Sequence, residues 1–235
     1  MVTGGVRAVC LDVDDTLVAH TDSSRAALRL LLGHDDAWSL WAQITDEQVA
    51  RVVAGEIDSD TMRWQRTKEF FACLGEHIDD TEAMRREDIR VTAMRAGWEL
   101  FDDTLPCLEW LRGAGVKIAV VTNASGSYQR RKLANLGLAE FIDGIVIAGE
   151  LGAAKPDPVI FHTACSQLGC QPGEVAHIGD RLDLDAIGAR DAGLRGVWLN
   201  RTDPAEGELP HGISVIATLA ELPELLVCEL DLVVR

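Results

Sequence analysis

Four short polar clusters in this chain each follow an apolar run. Asp12, Asp14, Asp15 and Thr16 follow the first run, and Thr122, Asn123, Ala124 and Ser125 the second. Gly149 and then Lys155, just before Pro156, follow the third. Gly179, Asp180, Asp183 and Asp185 follow the fourth. Several carboxylates in one place repel one another and raise each other's pKa, and a divalent cation relieves that repulsion. An all-oxygen ligand set favours magnesium, which keeps several waters and takes one or two carboxylates plus substrate phosphate. A lysine with hydroxyl and amide groups beside it suits an oxyanion. Pro156 near a helix N-terminus adds partial positive charge there. Magnesium, a lysine and a carboxylate nucleophile together point to phosphoryl transfer.

The elements that must position these groups can be read from periodicity. Buried parallel strands read as short apolar runs, and five occur, at 6–11, 116–121, 144–148, 175–178 and 196–199. Helical patterns lie between the later ones, at 104–112, 127–136, 158–168 and 185–192. Strand alternating with helix predicts an α/β fold, a Rossmann-like parallel sheet with helices on both faces. Gly115, Gly137, Gly169 and Gly193 stand where helices should end. In such a sheet ligands bind beyond the carboxyl ends of the strands, so the four clusters would ring one crevice.

Residues 19–101 break that rhythm. They carry no apolar strand run and read as four helices, the second over 36–54. Asp22 or Ser23, Asp58 or Ser59, and Asp79 or Asp80 are candidate N-caps for the first, third and fourth. The expected organisation is a core of 1–18 and 102–235 with a small all-helical domain at 19–101. The tail at 218–235 predicts a short packing helix.

At 235 residues the chain has room for one or two domains. Hydrophobic residues at 47% and charged residues at 26% exclude a disordered chain. No apolar run reaches the length of a membrane span, and the start of the chain lacks the pattern of a signal peptide. A cytoplasmic location is therefore expected. A net charge of −16 argues against nucleic-acid polymers and anionic membranes as partners. A phosphorylated substrate must then be held locally. The six cysteines, Cys10, Cys73, Cys107, Cys165, Cys170 and Cys228, form no CxxC pair and read as buried or half-buried reduced thiols.

The four clusters, in this order and at strand ends, resemble the motifs of the haloacid dehalogenase-like hydrolase superfamily, in its phosphatase branch. Asp12-Val13-Asp14-Asp15-Thr16 is similar to the first motif and Thr122-Asn123 to the second. Lys155-Pro156-Asp157-Pro158 is similar to the third, and Gly179-Asp180 through Asp185 to the fourth. The resemblance implies that the helical insert is a cap domain. It implies a magnesium-dependent phosphatase of small phosphate monoesters, with a small phosphorylated metabolite as partner. Asp12 would attack phosphorus to give an aspartyl-phosphate, with Asp14 as general acid and then general base. Magnesium would be held by the Asp12 carboxylate, the Asp14 backbone carbonyl and Asp180. Thr122, Lys155 and Asn123 would hold the phosphoryl oxygens, and Asp185 would orient Lys155 or the metal's waters. Asp183 falls short of the motif spacing.

Other readings of the same residues stay open at this point. A sugar-phosphate mutase keeps Asp12 and Asp14 but shields the phosphoenzyme from water. A phosphate-binding protein without turnover also fits, since fold does not fix function. The presence of Asp14 argues against a haloacid dehalogenase. A single lysine in the insert, Lys68, argues against Schiff-base phosphonate chemistry. His177 lies inside the fourth strand and reads as a core histidine. Arg130, Arg131 and Lys132 read as a solvated helix face. Trp38, Trp41, Trp64 and Trp98 read as core of the insert. Arg63, Trp64 and Arg66 are its candidates for recognising a leaving group.

Overall fold

The computed structural model describes residues 5–202, 210–228 and 230–233. The chain forms two compact units, His20–Glu99 and, around it in sequence, Met1–Ala19 with Leu100–Arg235.

The inserted unit is built of α1 (His20–Leu32), α2 (Trp38–Val53), α3 (Ser59–Cys73) and α4 (Asp80–Ala96). Asp58 caps α3 by accepting from Asp60 N and Thr61 N, and Asp79 caps α4 by accepting from Glu82 N. Such a cap contributes about 1 kcal/mol. α1 begins at His20, so Asp22 and Ser23 lie in its first turn rather than at its cap. Leu28, Trp41, Ile44, Phe70 and Phe71 make the apolar core, with Trp41 edge-on to Phe70 at 5.1 Å.

That core also carries a buried ionic knot. Glu87 accepts from Arg66 Nη2 at 3.0 Å, from both Arg90 Nε and Nη2, and from Thr67 Oγ1 at 2.7 Å. Arg66 and Arg90 both lie over the Trp41 ring. Arg66 is 7% exposed and is therefore a core residue, which removes it from the leaving-group candidates. Arg63 and Trp64 remain at the surface, lining a groove of about 450 Å³ with Arg95.

The second unit holds β1 (Ala8–Leu11), α5 (Thr104–Gly113), β2 (Lys117–Thr122), α6 (Gly126–Asn135), β3 (Gly144–Ile147), α7 (Ala148–Leu151) and α8 (Pro158–Leu168). β4 (Val175–Gly179), a π-helical turn at Leu182–Ile187, α9 (Gly188–Asp191), β5 (Arg195–Leu199), β6 (Ile213–Ile216) and α10 (Leu222–Cys228) complete it. The strands form one parallel sheet in the order β3-β2-β1-β4-β5-β6. Alternate residues of each strand feed opposite layers. Val9, Leu11, Ile118, Val120 and Ile178 pack with α5 and α10. Ala8, Cys10, Ala119, Val121 and Val175 pack with α8. Both faces are covered, as the expected α/β class requires.

Two elements differ from the sequence reading. β6 was not expected: it is a four-residue edge strand, half-exposed, with Ser214 in its middle, so it lacks a buried apolar run. The helix expected at 185–192 begins instead as the wide π-helical turn. All six cysteines are free; four are buried as expected, while Cys73 and Cys228 are exposed. Among the described residues no helix is long and apolar enough to cross a membrane.

Candidate active site

The sheet order reverses at β1, whose neighbours are β2 and β4, and this is where an open parallel sheet leaves a crevice. β1 ends by handing its ladder on, with Asp12 N donating to Ile178 O at 2.9 Å. The chain then turns sharply. Asp15 takes a left-handed backbone (φ 61°), which aspartate tolerates better than most residues. Leu17 N and Val18 N both return to Val13 O. The turn brings Thr16 against β4, where its Oγ1 accepts from Asp180 N at 3.1 Å. Asp12 and Asp180 are thereby fixed by backbone bonds on adjacent strands.

Lys155 joins these strands from the opposite side. Its Nζ donates to Asp12 Oδ1 at 2.5 Å, Asp185 Oδ1 at 2.6 Å and Val121 O at 3.1 Å, and the side chain is almost wholly enclosed. Asn123 holds the backbone there. Lys155 N donates to Asn123 Oδ1 at 2.8 Å, and Asn123 Nδ2 donates to Lys155 O at 3.0 Å. Both ends of the Asn123 side-chain amide are thus engaged with the Lys155 backbone.

Asp185 accepts three hydrogen bonds. Oδ1 takes Lys155 and His177 Nε2 (2.9 Å), and Oδ2 takes Arg181 N at 3.0 Å. His177 is buried as expected, packed edge-on to Phe161, although its Nδ1 has no hydrogen-bond partner among the described residues. Gly179 makes room for this arrangement: a Cβ there would lie 2.2 Å from Asp185 Cγ. Asp183 is exposed and pairs with Arg181, at 3.4 Å.

The face of α6 turned to the sheet carries two groups that sequence reading passed over. Gln129 is fully buried and donates to Thr122 Oγ1 at 3.1 Å. Lys132 is also fully buried and pairs with Asp14 Oδ1. The solvated-face reading holds for Arg130 and Arg131, both exposed, and fails for Lys132. Successive residues on a helix point about 100° apart. The apolar neighbour Leu133 and the polar Gln129, three residues before Lys132, were the available signal.

Burial pushes the Asp12 carboxyl well above the ordinary range, opposed by Lys155 and reinforced by Asp185, Asp180 and Asp14. Burial, with Asp185 and Asp15, pushes Asp180 up to about 7. Burial works against the Lys155 charge, but Asp12 and Asp185 outweigh it and hold its pKa above the lysine range. Burial would also raise Asp185, yet Lys155 and His177 hold it below the usual carboxylate value. Carboxylate oxygens of Asp12, Asp180 and Asp185 lie within 4.8 Å of one another. This donor set fits a hard divalent cation. Asp185 Oδ1 already takes Lys155 and His177, so Asp12 and Asp180 are the less engaged carboxylates of the three.

Comparison with known proteins follows the same lines. The family model of haloacid dehalogenase-like hydrolases matches residues 6–193. The phosphoserine phosphatase of Thermus thermophilus is 28% identical, over 83% of this chain and 89% of the relative. A glyceraldehyde 3-phosphate phosphatase of Methanopyrus kandleri is 30% identical, over 83% and 84%. The mouse N-acylneuraminate-9-phosphatase is 29% identical, over 94% of each chain. Among solved structures, the magnesium-bound HAD-hydrolase YfnB of Bacillus subtilis superposes with a TM-score of 0.78 at 23% identity, covering 94% of this chain and 99% of that one. That likeness bears on the fold.

Proposed function

Since this chain belongs to the haloacid dehalogenase-like hydrolase family, we propose that it is a magnesium-dependent phosphatase of small phosphate monoesters working through an aspartyl-phosphate. The observation that carries the reading is the enclosed Lys155 ammonium bridging Asp12 and Asp185, with Asp180 pushed up beside them. Such a centre carries more negative charge than its one lysine balances. Asp12, the Asp14 carbonyl and Asp180 would hold magnesium, which when bound neutralises charge on the nucleophile and the phosphoryl oxygens.

Each step then falls to named groups. An Asp12 carboxylate oxygen forms a bond to phosphorus as the ester P–O bond breaks, and the departing oxygen takes a proton from Asp14. Water next attacks the same phosphorus and gives its proton to Asp14. The bond to Asp12 breaks, inorganic phosphate leaves and both aspartates return to their starting states. Lys155, Thr122 Oγ1 and the Asn123 N–H hold the phosphoryl oxygens. Asp185 positions Lys155, and Gln129 positions Thr122. The helical insert serves as the cap that selects the ester. The named phosphatases among the relatives support a small phosphorylated substrate.

The test is phosphate release from a panel of small phosphate esters, with magnesium and with excess chelator. Release that needs magnesium and is lost in Asp12→Asn is expected. Isomerised product without phosphate release would favour a mutase. Tight phosphate binding without turnover would leave a binding protein.

A further inference from the structure

The reaction as drawn leaves one buried charge without a role, and that charge touches its acid–base group. Lys132 is 0% exposed, and its ammonium pairs with Asp14, whose side chain is 29% exposed. Enclosing an ammonium is costly unless it is paired, and a buried core position is more cheaply filled by a leucine. Leu133, the next residue, fills the core in that way. The Lys132 Nζ also lies 4.9 Å from the centre of the Tyr128 ring. Gln129, on the same face of α6, is equally enclosed and reaches Thr122. On the outer side, Arg130 clamps α6 to α7 through a two-bonded contact with Glu150, at 2.8 and 2.7 Å. One helix, held from outside, thus touches both Asp14 and Thr122 from within.

Resting on the phosphatase reading, we propose that Lys132 is a positioning residue acting through Asp14. It fixes the carboxylate that passes a proton to the departing oxygen and then receives one from water. Its loss should therefore matter in proportion to how much the leaving group needs that proton. A lysine that merely held the fold would slow every ester alike.

The experiment compares wild-type and Lys132→Met full-length protein on two substrates in magnesium. One is an alkyl phosphate taken from the active members of the panel. The other is p-nitrophenyl phosphate, whose leaving group departs as a stable anion. On the alkyl ester kcat should fall about 100-fold, the scale of general acid catalysis, while KM stays within about 3-fold. On p-nitrophenyl phosphate kcat should fall less than about 10-fold. Adding Lys132→Met to Asp14→Asn should cost nothing further, since the two residues act as one unit. Equal losses on both esters, or additive losses in the double variant, overturn the proposal and leave the phosphatase reading standing. A wild type that releases phosphate from no ester of the panel takes both down. Circular dichroism checks folding, and if Lys132→Met does not fold, Lys132→Gln, which keeps a donor in the cavity, carries the same comparison.

Discussion

Replacing Asp180 by asparagine should make the metal-free protein more stable while abolishing activity. Burial, with Asp185 and Asp15 close by, pushes the Asp180 carboxyl from 3.8 up to about 7. A carboxyl whose folded pKa lies above its unfolded one destabilises the fold at pH above the folded value. That penalty fades as pH falls from about 7 towards about 4, because the folded state takes up its proton first. Each pKa unit is worth about 1.4 kcal/mol, so the penalty at pH 8 is on the order of 4 kcal/mol. Asparagine still has to be withdrawn from water, so the expected gain is nearer 1–2 kcal/mol, or roughly 3–6 °C for a chain of this size. The bonds at this position survive the change, because Thr16 Oγ1 accepts from the backbone N–H and Trp198 Nε1 donates to the backbone carbonyl. The assay is thermal unfolding from pH 5 to 8, in chelator and in magnesium. Wild type should gain about 2.7 kcal/mol from magnesium at a hundred times its Kd, and Asp180→Asn far less. Its advantage in chelator should be largest at pH 8 and small at pH 5. A variant that melts below wild type in chelator at pH 8, or that gains as much from magnesium, refutes the reasoning.

Two further outcomes follow from the buried ion pairs. Lys155→Met strands Asp12 and Asp185, so urea unfolding should show a loss of about 3–5 kcal/mol, and phosphate release should fall at least about 1,000-fold. A variant of wild-type stability would show that Lys155 is not what balances the pair. Arg66→Ala takes from Glu87 one of its two arginines and leaves Arg90 and Thr67 in place, so it should cost less, about 1.5–3 kcal/mol. Its kcat/KM should stay within about 3-fold on every ester at a temperature where it is folded; a change confined to some esters would return Arg66 to substrate recognition.

The strand-end clusters were legible because a buried parallel strand is an unbroken apolar run, and Asp12, Thr122 and Asp180 are where those runs break. The sheet class followed from the same pattern. What stayed hidden depends on partners distant in sequence. Arg66 looks like a surface arginine until Glu87, on another helix, is seen to enclose it. Lys132 sits in a basic triplet, and only the direction of the helix face separates it from its exposed neighbours. β6 is half-exposed and short, so no hydrophobic period marks it. The π-helical turn has no local sequence rule. Its effect is clear only from Asp185, whose N–H bonds Arg181 O at 2.8 Å while its Oδ2 accepts from Arg181 N.

The distribution of partners within the centre says what order binding must follow. Asp185 is satisfied by a lysine, a histidine and a backbone amide. Asp12 shares that same lysine, and among the described residues Asp180 has no ion pair. One ammonium therefore bonds two carboxylates, and the third feels it only at a distance. A phosphate ester brings two more negative charges towards a protein whose net charge is already −16. Lys155 and a few N–H groups would not overcome that field. A divalent ion held by Asp12 and Asp180 would remove the excess before the ester arrives. Gly179 is part of the same logic, because a side chain there would displace Asp185, and with it the lysine that the remaining carboxylates share. On the proposed reading, the surplus of negative charge would favour a cation first and a phosphoryl group second.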